Sequence, residues 1–456
     1  MSLATRHSMP PATKSSLRAL AGLAVLGAIA YLLISLVGYS YELNLGQGLS
    51  PFAMLGDFRN PFGDMKWILS YADCGVSPFM AIQKGLKCHG YSTPEYPPLF
   101  FWLGWRLGLS PEDASWISLL SATLNIGLIY FLAKKLIANV TLRWIILCFL
   151  YLSFPYQGLL STANLDSTIF LIVVLSSLLV SLRSSLAWLS PLLALLSIGL
   201  KIYPLFGFSA LLLFLVVRWR VPPQAKRNIF VWLYIVSVSA VSIATLATLI
   251  EPVTQFVNGS LGSHGLMASG YINNTLITAF GIEPARLMIR SLIILKASIF
   301  VVSLVWFGKI YNVRSTSHEL PFAALLNSPR WRPVLITTAA ISICCYVFSI
   351  GYDYRLIYIF PAAMLTAAEC TNPRLRVGLR GIMKAQLGAI VYIFYLPFLG
   401  YHAANPLLSR IPQWLMTTLE LVDEFMLSPF LFGSILVLVI ILVTNPPTLH
   451  SYSGDT

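Results

Sequence analysis

Long apolar runs decide what this chain can fold into. Stretches near 19–38, 114–132, 229–250 and 288–307 each hold close to a bilayer's worth of apolar residues, and about 20 such residues in a helix cross the hydrocarbon core of a membrane. Only 10% of the residues are charged while 57% are hydrophobic, against roughly 25% charged in an average soluble domain. The 456 residues therefore predict an all-α polytopic membrane protein forming one transmembrane domain, with roughly 11–13 membrane helices.

The basic residues set the expected orientation. With the N-terminus inside and an uncleaved first helix near 19–38, further spans are expected near 143–159, 164–182, 186–201, 204–217, 334–350, 356–369, 385–401 and 429–443. Lys134 with Lys135, Arg183, Arg218 with Arg220, Lys226 with Arg227, Lys309 with Arg314, Arg330 with Arg332, and the group Arg374, Arg376, Arg380 and Lys384 then all fall inside, as the positive-inside rule requires. The net charge of +13 is thus an orientation signal directed at anionic membrane lipids, not a nucleic-acid footprint. The segments 39–97, 251–287 and 402–428 lie outside, and 39–97 is the longest loop. Residues 444–456 read as a short cytoplasmic tail. A bacterial inner membrane, with the functional face towards the periplasm or exterior, is the expected location.

Cys148, Cys344 and Cys345 fall within spans, where they act as small apolar residues, and Cys370 is expected at a cytoplasmic helix end. Cys74 and Cys88 share the first outside loop. A bridge between them would close a loop of about 15 residues, worth roughly 3 kcal/mol. Two outside glycosylation sequons, Asn258-Gly-Ser260 and Asn273-Asn-Thr275, are matched by an unusable inside one, Asn139-Val-Thr141, and carry no weight.

Within the first outside loop, Met65, Ile68, Leu69 and Ala72 recur at helical spacing and predict a short amphipathic surface helix. Asp64 stands at its start, placed either as an N-cap or as a general base on a hydroxyl, with Asp57 and Asp73 as rivals for the second role. The loop closes on Glu95-Tyr96-Pro97-Pro98, whose prolines hold the preceding residues extended and permit a helix to begin near Pro98.

Three more segments follow the same order: Ala163-Asn164-Leu165-Asp166, Lys201-Ile202-Tyr203-Pro204 and Tyr352-Asp353-Tyr354-Arg355-Leu356. With the Gly63-Asp64 step and Tyr96-Pro97-Pro98, this arrangement resembles the C-type (GT-C) glycosyltransferase superfamily, and within it the family 87 polyprenyl-phosphate mannosyltransferases, over about residues 20–400. The resemblance implies a polyprenyl-phosphate sugar donor, an inverting transfer to a lipid or glycan hydroxyl, and Asp64 as the catalytic base. The insertion carrying Cys88 and His89 departs from the family pattern and leaves the acceptor pocket open.

The residues fit such chemistry. A lipid phosphate leaves as a stable anion and needs no general acid, so one carboxylate plus cations near the phosphate suffice. Lys201 and Arg355 are expected at outer helix ends, against the positive-inside bias, which marks them for function. The alternatives are snorkelling for Lys201 and an ion pair with Asp353 or another outside acid for Arg355. Tyr203, Tyr354, Glu95, Tyr96 and His264 complete the candidate substrate-binding set, with Asp166 as a helix cap or a contact to donor or base. No metal-ligand spacing is present, and the sequence calls for no cofactor. The rival reading is a multi-pass transporter, or a flippase or polymerase of lipid or polysaccharide. It is disfavoured by the near absence of mid-span charges, Lys296 being the main exception, and by the lack of visible inverted repeats.

Overall fold

The computed structural model describes residues 63–74, 88, 99–153, 164–180, 185–201, 203–219, 282–312, 331–347, 355–373, 377–400 and 412–444, with a few isolated positions between them. The regular elements there are helices: α1 (Gly63–Ala72), α2 (Leu99–Arg106), α3 (Ala114–Leu136), α4 (Val140–Tyr151), α5 (Asp166–Leu179), α6 (Leu189–Leu200), α7 (Pro204–Trp219), α8 (Ile282–Asn312), α9 (Trp331–Val347), α10 (Phe360–Cys370), α11 (Val377–Gly400), α12 (Gln413–Val422) and α13 (Ser428–Thr444). Four of these regions, Pro111–Leu136, Leu287–Ile310, Val377–Tyr395 and Asp423–Thr444, are long and apolar enough to cross a membrane, and shorter apolar helices pack among them. An all-helical arrangement is what a bilayer demands, since each helix satisfies its own backbone polar groups. The first expected span near 19–38, the run near 229–250 and the tail beyond Thr444 lie outside the described residues.

Helix α8 shows how the sequence sorts its faces. Lys296, Phe300, Ser303 and Phe307 recur at steps of four, three and four and are buried, while Leu287, Ile294, Val301, Val302 and Val305 face outwards. That spacing places the buried set on one stripe of a helix. The stripe meets α13 at close range: a Cβ added to Gly433 would stand 2.7 Å from Ser303 Cβ and 3.0 Å from the Phe300 carbonyl oxygen. Helices in membranes associate through such small residues, because lipid supplies no hydrophobic drive between them.

Between α12 and α13 the chain stays helical through a π turn at Asp423–Leu427, in a stretch expected from the sequence to be loop. Pro429 supplies the reason. It has no N–H for the carbonyl four residues back, and its ring crowds that carbonyl. A widened turn absorbs the conflict. The turn also aims Glu424 at α8, where its Oε1 lies 2.8 Å from Lys296 Nζ, with the lysine wholly buried. The mid-span charge is therefore paired. Removing one partner of a buried pair typically costs about 3–5 kcal/mol, whereas replacing both with apolar groups is often neutral. Lys296→Met is accordingly expected to lower the unfolding midpoint in detergent strongly, and Lys296→Met combined with Glu424→Met to recover most of the loss.

Helix α9 is buried along nearly its whole length and touches α5, α7, α10 and α13. Gly207 lets α7 approach it: an added Cβ would meet the Thr337 carbonyl oxygen at 2.6 Å. At the start of α9, Arg332 is 1% exposed, donates from Nε to the Leu442 carbonyl oxygen at 2.6 Å and lies 5.0 Å from the Phe214 ring centre. A cation at the last turn of α13 offsets the negative end of that helix.

The loop 39–97 contributes α1, and α2 follows directly after it. Met65, Ile68, Leu69 and Ala72 form the buried face of α1 as the spacing predicts, but that face is covered by protein: α2, α3 and the 3-10 turn Pro111–Asp113. Gly104 makes the α1–α2 contact possible, since a Cβ there would stand 2.8 Å from Ala72 Cβ. A Schellman motif ends α2, with Leu109 N–H bonded to the Gly104 carbonyl and Gly108 N–H to that of Trp105. Gly108 adopts the left-handed φ of 64° that this motif requires. A disulfide joins Cys74, just past α1, to Cys88, with the Cα atoms 5.3 Å apart.

Candidate functional site

Short links between successive helices bring the start of α5, the end of α6, the start of α7 and the 3-10 turn Leu356–Ile359 to one end of the bundle, and α1 packs there. Pro204 is central to this. It is favoured as the first residue of a helix and biases its predecessor away from helix, so α6 stops at Leu200 and Lys201 and Tyr203 fall on the link.

Asp166, the first residue of α5, is 1% exposed and lies at the centre of the cluster. Its Oδ1 is 2.5 Å from Lys201 Nζ and accepts the Tyr203 hydroxyl at 2.5 Å, while Arg355 Nε stands 3.6 Å from Oδ2. The Arg355 guanidinium lies 4.7 Å from the Tyr203 ring centre, a cation–π distance. Tyr358 meets the same ring edge-on at 5.7 Å. The hydroxyls of Tyr203 and Tyr358 are 3.4 Å apart.

Asn164 connects this cluster to α1. Its Oδ1 accepts the backbone N–H of Asp166 at 2.9 Å and Lys201 Nζ at 3.3 Å. Its Nδ2 donates to Asp64 Oδ2 at 2.7 Å. The orientation of the amide follows from the network, since the oxygen faces two donors and the nitrogen a carboxylate. One side chain thus links the Asp64 carboxylate to the carboxylate–cation cluster at Asp166. Behind it, Asn125 of α3 donates to the backbone oxygens of Ser121 and Ser167, both at 2.9 Å. The Ser121 hydroxyl meets those of Ser167 and Thr168 at 3.0 and 2.8 Å. These bonds anchor the first turn of α5.

Five candidate residues are therefore gathered: Asp64, Asp166, Lys201, Tyr203 and Arg355. Glu95, Tyr96, Tyr354 and His264 lie outside the described residues, as do Asp57 and Asp353. The geometry bears on three local alternatives. Asp166 is the first helical residue and Leu165 the cap, and the Asp166 N–H donates to Asn164 Oδ1. Lys201 does not snorkel, because it is 4% exposed and bonded to Asp166. Among the described residues Arg355 faces Asp166, while Asp353 lies outside them. Asp64 sits inside the first turn of α1, which begins at Gly63.

Asn164 and Tyr358 were assigned no role from the sequence. For Asn164 a signal existed, because Asn two residues before a helix start commonly bonds the backbone two positions on. For Tyr358 none did. Exposure divides the cluster: the Arg355 side chain retains 14% and Asp64 is partly exposed, whereas Asp166, Lys201, Tyr203 and Asn164 are buried. Among the described residues no group of three or more His, Cys, Asp or Glu side chains could hold a metal ion.

The chain matches no family model, no curated protein and no solved structure.

Proposed function

We propose that this protein is an integral membrane glycosyltransferase of the GT-C type, transferring a sugar, a hexose such as mannose, from a polyprenyl-phosphate donor to a lipid or glycan hydroxyl outside the cytoplasm, with inversion. The observation that carries the reading is the Asn164 bridge, which ties a partly exposed carboxylate, Asp64, to a partly exposed cation, Arg355, through Lys201 and Asp166. Asp64 takes the proton of the acceptor hydroxyl as its oxygen attacks the sugar C1. The bond from C1 to the phosphate oxygen breaks, and its electron pair leaves with the lipid phosphate.

Arg355 meets that phosphate, where a guanidinium can bond bidentately. Lys201 and Tyr203, buried around Asp166, act as positioning residues that hold the Arg355 counter-ion and, through Asn164, the base. Orientation rests on the charged loops, and the Cys74–Cys88 bridge supports it, since disulfides persist in oxidising compartments. The test is purified protein in lipid supplied with polyprenyl-phosphate sugars. Release of lipid phosphate that depends on an acceptor is the expected result.

One observation favours a second reading, transport: the Lys296–Glu424 salt bridge lies within the span region, where such residues commonly mark substrate or proton paths. Solute or lipid flux in vesicles without any release of lipid phosphate would select it.

A further inference from the structure

The geometry points to a headgroup site for an anionic phospholipid on helix α2, built from Trp102, Trp105 and Arg106. These residues stand at i, i+3 and i+4 and so share one helix face. The neighbouring face is closed, with Phe101 fully buried and Gly104 hard against Ala72 of α1. The open face holds Trp102 at 37% exposure, Trp105 at 38% and, just beyond the helix, Leu107 at 71%. Trp116, on the first turn of α3, adds a third exposed indole and donates to Asp113 at 2.8 Å.

Exposed indoles with one apolar face and one N–H are at home at headgroup depth. The cation is the unexpected part. Arg106 is exposed and lies between the loop 39–97 and the span expected near 114–132, on the side expected outside, where the positive-inside rule disfavours basic residues. Its guanidinium lies 4.8 Å from the Trp105 ring centre and 5.6 Å from that of Trp102, and no ion pair to it forms among the described residues. Both indoles lie within cation–π distance of the guanidinium, whose N–H donors can receive phosphate oxygens. The complementary group at that depth is the phosphate of an anionic outer-leaflet lipid. A zwitterionic lipid offers the same oxygens beside a competing cation and binds less well.

The site adjoins the candidate cluster without sharing a residue with it. Helix α2 packs on α1, which carries Asp64, and its first residue, Leu99, touches Gly199 two positions before Lys201. The inference depends on the membrane orientation and not on the chemistry at Asp64, so failure of one leaves the other standing.

The experiment is native mass spectrometry of the full-length protein in detergent, supplied with equimolar phosphatidylglycerol and phosphatidylcholine. Wild type should retain phosphatidylglycerol with a preference of about tenfold, the effect of one charge-assisted hydrogen bond. Arg106→Gln should lose that preference while unfolding at an unchanged temperature, and Arg106→Lys should keep part of it. Lys135→Gln, at the far end of α3, should behave as wild type. Inorganic phosphate at the same concentration should not compete, because the indoles contribute only to a membrane-embedded ligand. No preference in wild type, full preference in Arg106→Gln, or an equal loss in Lys135→Gln overturns the proposal.

Discussion

Asp64→Asn should lower turnover with a polyprenyl-phosphate sugar by about 10²–10⁴-fold, the range a positioned general base contributes. The substitution keeps the shape of the side chain and still offers an oxygen to Asn164 Nδ2, now 2.7 Å from Asp64 Oδ2. Folding should therefore be little affected, and the loss should fall on kcat, with KM for the donor nearly unchanged because Arg355 and its surroundings are intact. That division separates a base from a residue that merely holds the helix start. Full activity in Asp64→Asn would remove the proposed base, whatever the substrate proves to be.

Asp166→Asn should produce the largest loss of stability in the site. The carboxylate faces Lys201 at 2.5 Å and Arg355 at 3.6 Å, and both the acid and the lysine are buried. Breaking such a pair by removing one partner typically costs about 3–5 kcal/mol, mostly because the other charge is left desolvated. Arg355 keeps 14% exposure and can turn towards water, so the penalty should fall mainly on Lys201. Asp166→Asn combined with Lys201→Met should then restore most of the unfolding midpoint, yet without activity, because the anchor for Arg355 remains missing. A single Asp166→Asn variant as stable as wild type would show that the cluster is not the electrostatic keystone of this end of the bundle.

The helices were legible wherever one face is repetitive. Met65, Ile68, Leu69 and Ala72 announced α1, and the apolar run near 288–307 announced the middle of α8, because periodicity is a property of neighbouring residues. Helix ends were less so. Helix α8 extends to Ile282 and Asn312, and α11 starts at Val377, both reaching beyond their apolar cores into polar sequence that hydropathy reads as loop. The helical continuity through Asp423–Leu427 was also missed. Pro429 reads as a helix start when only local signals are available, and the packing of α13 on α8 and α9 keeps the preceding residues helical.

The site divides along the same line. Sequence alone determined which residue types stood at helix boundaries: the Asp after Gly63, the Lys and Tyr before Pro204, and the Arg before Leu356. Each is a local fact about a helix terminus. What only the tertiary structure decided was which charge answers which. Asp166 engages Lys201 and Tyr203, 35 and 37 positions away, Asn164 reaches Asp64 across 100, and Lys296 finds Glu424 across 128. Those pairings arise because a buried charge must find a partner or leave the interior, and the available partners are set by how the helices cross, which no stretch of sequence contains.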